Sequence, residues 1–275
     1  MLECVVNLSE GADRARLEAL ARLAGPALID LHSDASHNRS VLTLAGPTVV
    51  AAARELAAAA VAALDIRQHV GVHPRLGVVD VVPFAPLGDD GLRPDGDLGE
   101  ALAARDGFGR WAAQALGLPC FLYGPERTLP EIRRGAFDAL RPDFGPDAPH
   151  PSAGACCVGA RQALVAYNLF LADRNLALAR QLAAQLRSPA VRSAGFAVQN
   201  GVQVSCNLVA PWSVGPADVY DQVAAATRVE RAELVGLLPR RILEAIPARR
   251  WRSLDLGEAS TIEARLAARG IAAPN

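Results

Sequence analysis

The chain makes two passes through one order of short apolar runs and amphipathic stretches. Residues 3–8 are an apolar run of strand length, and residues 12–24 follow with Leu17, Leu20 and Leu23 at helical spacing. Residues 27–31 and 40–45 are further strand-length runs, residues 48–64 a long Ala-rich helix, and residues 76–84 a Val-rich strand. The order is β-α-β-β-α-β, the split βαβ or ferredoxin-like pattern. A Gly- and Asp-rich loop over residues 88–97 ends that pass. An extra helix at about 98–116 then leads into a strand at 120–123.

Residues 125–152 are rich in proline and have few periodic features, as a linker or an active-site loop would. The same order then returns. Residues 163–171 read as strand, 173–186 as helix, and 192–198 and 202–209 as strands around an Asn200-Gly201 turn. Residues 216–227 form a helix with Pro216 at its start, and 232–237 close the pattern as a strand. The expectation is an α/β (α+β) fold of two ferredoxin-like sandwich subdomains. The first is residues 1–152, the Pro-rich connection included, and the second is residues 153–275. A cleft between two such sandwiches is a favoured place for a small-molecule site.

Composition narrows the function. Hydrophobic residues make up 51% of the chain, but the apolar stretches are Ala-rich and broken by Arg, Asp or Pro, so none reads as a membrane span. The start Met-Leu-Glu-Cys lacks a basic signal-peptide region, and a cytoplasmic location is expected. A formal charge of −1 argues against binding nucleic acid by bulk phosphate neutralisation. The five cysteines (Cys4, Cys120, Cys156, Cys157, Cys206) are odd in number and lack CxxC spacing, as reduced, mostly buried thiols do. All 28 basic residues are arginine. A P-loop lysine, a pyridoxal Schiff base and a lysine aldolase are therefore excluded.

Four of the five histidines are His32, His37, His69 and His73, and the last two share residues 67–77. Histidine both takes and gives protons near neutral pH. Around His73 stand Pro74, Arg75, Gly71 and Gly77, a loop suited to present an imidazole and a guanidinium to an anion. His69 and His73 have the spacing of a helical zinc pair, but Gly71 and Pro74 break the helix and no Glu lies between them. A loop metal site using His32, His37, Asp34 and one of the later pair stays open as an alternative. Gly107 to Ala112 has the GxGxxA spacing of a dinucleotide fingerprint, yet follows a helix-like acidic run where a strand is required. The vicinal Cys156-Cys157 reads as a buried structural pair.

Glu3-Cys-Val-Val-Asn-Leu-Ser-Glu-Gly11 resembles the opening of the glutamate formiminotransferase family, usually ECVPNFSEG. The likeness continues through Asp30, Asn38-Arg39-Ser40, His69-x-Gly-x-His73-Pro-Arg-Leu-Gly77 and Asp80-Val-Val-Pro-Phe84. It goes on through Tyr123-Gly124, Asp143-Phe-Gly145, Gly159-Ala-Arg161 and Tyr167-Asn168. In the second half it includes Gln203-Val-Ser205, Asn207-Leu208 and Glu233-Leu-Val-Gly-Leu237, so that it spans about residues 2–240. The chain ends at Asn275, and the resemblance is to the stand-alone form without a cyclodeaminase domain.

This resemblance implies transfer of a formimino (or formyl) group between N-formiminoglutamate and tetrahydrofolate, the co-substrate, held in a tunnel between two ferredoxin-like subdomains. It implies a role in one-carbon metabolism and histidine degradation, and it places the catalytic histidine on His73. Arg39 and Arg75 are natural partners for carboxylates of folate or glutamate. The matched motifs add Asn38, Gly77, Arg161, Asn168 and Asn207 as substrate- or folate-binding candidates, and the position of a family Asp adds His32. No metal is called for. The expected partners are these small molecules, with no nucleic acid and no membrane, and a homodimer is left open.

Three positions depart from the family. His32 stands where the animal enzymes carry an Asp, Val72 where a Glu precedes the catalytic histidine, and Val6 where the first motif has proline. A carboxylate would favour a cationic His73 or amidine, and a neutral imidazole would not. If His32 takes the Asp position, its ring is expected near His73. The alternatives are a related one-carbon transferase acting on a different amine and a non-catalytic folate-binding protein.

Overall fold

The computed structural model describes residues 1–274, which divide into two compact units. The first comprises Met1–Gly91 and Asp97–Arg161, the second Leu92–Gly96 and Gln162–Ala273.

In the first unit, β1 (Leu2–Leu8), α1 (Arg14–Leu23), β2 (Leu28–Asp34), β3 (Arg39–Ala45), α2 (Val49–Ala63) and β4 (Val79–Pro86) follow in sequence. The sheet has strand order β2-β3-β1-β4, antiparallel throughout, which is the ferredoxin-like arrangement. Beyond β4 it gains two parallel strands, β6 (Cys156–Ala160) and then β5 (Cys120–Tyr123). The helix α3 (Gly99–Leu116) precedes β5, and α4 (Leu129–Gly135) follows it.

One face of the sheet is buried by alternate residues: Cys4, Val6 and Leu8 of β1 pack with Leu17 and Leu20 of α1 and with Ala52, Ala53, Leu56 and Ala60 of α2. The alanines let α2 sit close to the strands, and larger side chains there would overpack the layer. On the opposite face Val81, Phe121, Tyr123 and Cys157 pack against Ile132 of α4.

The second unit repeats the order with β7 (Val165–Leu171), α5 (Leu176–Leu186), β8 (Val191–Val198), β9 (Gly201–Leu208), α6 (Pro216–Ala224) and β10 (Val229–Val235). Its sheet runs β10-β7-β9-β8, antiparallel. Tyr167, Leu169, Leu182, Val204 and Val219 lie in its core, and the buried Tyr167 hydroxyl donates to the Leu254 carbonyl at 2.7 Å. Three short helices follow: α7 (Arg240–Glu244), α8 (Ala248–Trp251) and α9 (Ile262–Ala268).

Several expectations need correction. The units part after Arg161, later than Ser152, because the apolar segment holding Cys156 and Cys157 is β6, hydrogen-bonded between β4 and β5 in the first sheet. The Pro-rich stretch is not structureless. It contains α4, whose N-cap Thr128 donates through its backbone N–H and its hydroxyl to the Glu131 carboxylate in a capping box. The strand expected from residue 76 begins at Val79, and β2 runs on to Asp34, so His32 and Asp34 are strand residues. The GxGxxA run lies inside α3, where a Cβ on Gly109 would meet the Phe144 ring at 3.0 Å. There Gly109 serves helix packing. All five cysteines are buried free thiols. Among the described residues no helix is long and apolar enough to cross a membrane.

Candidate active site

The site is built where the β2–β3 turn meets the loop entering β4. The turn closes on Asp34, whose carboxylate accepts the His37 backbone N–H at 2.7 Å. Asn38 then adopts φ 44°, in the left-handed region that asparagine tolerates better than most residues. From there Asn38 joins three segments. Its Oδ1 accepts the Gly11 N–H at 2.9 Å, its Nδ2 donates to the Val70 carbonyl at 3.0 Å, and its own carbonyl lies 2.7 Å from His69 Nε2. Gly71 makes the close approach possible, since a Cβ there would fall 2.4 Å from the His37 carbonyl oxygen. Gly77 serves the far end of the loop in the same way, with a Cβ 2.3 Å from the Ala155 carbonyl.

Beneath the loop lies Asp80, fully buried on β4. Its carboxylate accepts from Arg39 Nη1 at 2.6 Å, from Arg133 Nη1 and Nη2 at 2.8 and 2.5 Å, and from the Leu76 backbone N–H at 2.8 Å. Arg39 also donates through Nη2 to Asn7 Oδ1 at 2.9 Å. Burial alone would raise the Asp80 carboxyl, but Arg39 and Arg133 outweigh it and hold the group well below the usual carboxylate range. Two guanidiniums against one carboxylate leave the cluster with one net positive charge.

His73 sits over this cluster. Its Nδ1 lies 2.7 Å from the Pro74 carbonyl oxygen, and its ring meets the ring of His37 edge to face, centroids 6.0 Å apart. A carbonyl only accepts, so Nδ1 carries the hydrogen and Nε2 is the bare nitrogen. Burial, together with the Arg39 charge, pushes the His73 pKa down to about 3, against the opposing pull of Asp80 and the Pro74 carbonyl. The imidazole is neutral at cellular pH and offers Nε2 as a base.

The remaining candidates divide. Arg39 and Arg75 were expected to take substrate carboxylates, but both have partners within the chain. Arg75 donates through Nε to the His73 carbonyl at 3.0 Å, through Nη2 to the carbonyls of Gly71 (2.5 Å) and His73, and contacts His69 Nδ1 through Nη1. It is the internal brace of the loop. His32 lies on β2 opposite Val41, in one cross-strand row with Asn7 and Val81, and the imidazole set against His73 is His37. Arg161 follows β6, where its side chain bonds the buried Tyr123 hydroxyl. Asn168 and Asn207 belong to the second unit. Asn168 is buried on β7 and donates to Glu233 at 2.9 Å, whereas Asn207 is exposed on β9.

Among the described residues no three His, Cys, Asp or Glu side chains converge as a metal ion requires. His37, Asp34 and His69 instead work through backbone and ring contacts. The members missed in the sequence are Arg133, Asp80 as a charge partner, and Asn7. The capping box Thr128-x-x-Glu131 could have announced a helix and so an ordered Arg133. Its pairing with Asp80 has no local signature.

A family model described as the formiminotransferase domain, N-terminal subdomain, matches residues 1–161. The chain is 32% identical to a glutamate formimidoyltransferase of Streptococcus pyogenes, over 88% of this chain and 90% of that protein. It is 33% identical to the glutamate formimidoyltransferase of Thermoplasma acidophilum, over 88% and 89% respectively. A formimidoyltransferase-cyclodeaminase of Gallus gallus is also 33% identical, over 88% of this chain but 51% of that longer protein. The histidine loop, its buried charge cluster and these extended matches lead to one conclusion: the chain belongs to the glutamate formimidoyltransferase family, transferases that use tetrahydrofolate as co-substrate.

Proposed function

We propose that this chain moves a formimino group from N-formiminoglutamate to tetrahydrofolate, with His73 carrying the protons. The observation that supports this most is the state of His73: neutral, its tautomer set by the Pro74 carbonyl, and seated over a cluster of net positive charge. A folate nitrogen attacks the amidine carbon and forms a tetrahedral intermediate. The attacking nitrogen gives its proton to His73 Nε2. The same imidazolium then protonates the glutamate nitrogen as the C–N bond breaks, so that glutamate leaves as a neutral amine. An amine anion is far too basic to leave, so this second transfer is the demanding one.

The cationic surroundings suit that step. An imidazolium formed beside Arg39 and Arg133 is a strong acid and surrenders its proton readily. The carboxylates of glutamate and of the folate tail bring the negative charge that moves His73 back towards neutrality once substrate is bound. In this reading Arg39 and Arg133 act on the substrates mainly as a field and Arg75 as a brace. His32, Asn38, Gly77, Arg161, Asn168 and Asn207 remain proposed contacts for substrate or folate.

The test is release of glutamate from N-formiminoglutamate in the presence of tetrahydrofolate. His73→Ala should lower turnover by roughly 10²–10⁴-fold with folate affinity nearly unchanged. Turnover within threefold of the parent would remove His73 from the mechanism. Folate binding with no glutamate release by the parent would favour a different amine donor or a non-catalytic role.

A further inference from the structure

His69 is held at both ring nitrogens. Its Nε2 faces the Asn38 carbonyl at 2.7 Å, and its Nδ1 faces Arg75 Nη1. The carbonyl can only accept, so Nε2 carries the hydrogen, and the bare Nδ1 accepts from the guanidinium. These two contacts select a single neutral tautomer.

Each contact leads on to His73 by a different path. Arg75 grips the carbonyl of His73 itself, through Nε at 3.0 Å and through Nη2, and the carbonyl of Gly71 at 2.5 Å. Asn38 belongs to the turn that carries His37, whose ring packs on His73. Asn38 also holds Val70 of the same loop through its side chain. One imidazole therefore bridges the turn on one side of His73 to the arginine that holds its backbone on the other.

We propose that His69 is a positioning residue for His73, its neutral ring setting the loop backbone from which His73 presents Nε2 to substrate. The proposal rests on the reading of His73 as proton carrier. Glutamine is the conservative replacement: its amide nitrogen donates to Asn38 and its oxygen accepts from Arg75, without titrating. Asparagine has the same polarity but is too short to reach both, and leucine offers neither contact.

The bridge also carries a pH signature. Arg75 from the same loop and Glu10 from the segment after β1 are the charged groups that act on the ring. A proton at Nδ1 would set N–H against the Arg75 N–H groups, so acid opens the bridge in the parent but not in His69→Gln.

The test compares the full-length parent with His69→Leu, His69→Asn, His69→Gln and His73→Ala. The readouts are turnover, KM and imidazole nitrogen NMR. The expected result is a 10–100-fold fall in kcat for His69→Leu and His69→Asn, on the order expected when a catalytic group is misplaced by about 1 Å. KM should stay within about threefold, and His69→Gln should recover most of the kcat. The Gln variant should also keep its activity to lower pH than the parent. In the parent the His69 signal should be that of the Nε2–H tautomer at pH 7. In the Asn variant the His73 ring signals should move.

Equal activity of the Asn and Gln variants would overturn the proposal, as would an unmoved His73 signal. If His69→Leu fails to fold, the Asn and Gln pair carries the test. A fully active His73→Ala would instead remove the reading on which the proposal rests, and the proposal with it.

Discussion

Replacing Asp80 by Asn should cost the first unit about 3–5 kcal/mol, the usual penalty for leaving a buried charge without its partner. In the parent the carboxylate receives four hydrogen bonds, from Arg39, from Arg133 twice, and from Leu76. An amide keeps one acceptor oxygen and turns an NH2 group towards N–H groups that can only donate. The two arginine side chains are 12% and 16% exposed, so water compensates poorly. Urea unfolding is the assay. With a slope of about 3 kcal/mol per molar urea, the midpoint should fall by roughly 1–1.7 M.

The sign with pH follows from the depressed carboxyl. Its stabilisation is fully present above the unfolded value of about 3.9 and is lost only as pH falls towards the lower folded value. The difference between parent and variant should therefore be constant from about pH 8 to about pH 5. Removing all three charges, as Arg39→Met with Asp80→Leu and Arg133→Met, should restore at least half of the loss, because no charge is then orphaned. A loss below about 1 kcal/mol at pH 7 would refute the argument.

Three further outcomes are expected. His73, with its pKa held near 3, should stay neutral in NMR titrations at pH 5; by linkage it makes the fold lose stability as pH drops from its unfolded value near 6.5, an effect absent above that value and absent in His73→Phe. Arg75→Leu should lower kcat more than it raises KM, with only partial rescue by Lys, because a point charge cannot replace the branched set of loop contacts; a pure KM effect would return Arg75 to substrate binding. His32→Asp, which places on β2 the carboxylate that the resemblance assigns to the animal enzymes, should preserve or raise turnover with N-formiminoglutamate, and a tenfold loss would show that His32 does not stand in for it.

The two β-α-β-β-α-β passes were legible because period and length carry that information locally. Leu17, Leu20 and Leu23 announce α1, and the Val-rich run announces β4. What escaped depends on partners distant in sequence. β6 is a short run ending in Gly159-Ala160 that becomes a strand because β4 and β5 offer it edges on both sides. A Cβ on Gly159 would lie 2.1 Å from the Tyr123 ring, so even its glycine is explained only by the neighbouring strand. The short helices after β10 likewise owe their order to packing: Ile242 and Leu243 of α7, and Leu254 and Leu256 between α8 and α9, bury themselves in the second core. Stretches this short have little helical stability of their own.

The candidate site divides along the same physical line. A loop with two histidines, a proline and flanking glycines could be read directly from the sequence. The partners of its arginines could not. Arg39 and Arg75 have the chemistry of carboxylate ligands, and sequence offers no way to see that a carboxylate and a set of carbonyls already occupy them. Asp80 reaches Arg133 only because β4 and α4 meet on one face of the first sheet. The result changes the task assigned to the cations. Two arginines sharing one buried aspartate cannot both swing out to clamp a substrate without stranding charge in the interior, at a cost of several kcal/mol. They can act on bound carboxylates and on His73 from where they stand. If His73 carries the protons as proposed, the arginines bias the energy of that proton and the braced loop determines where it goes.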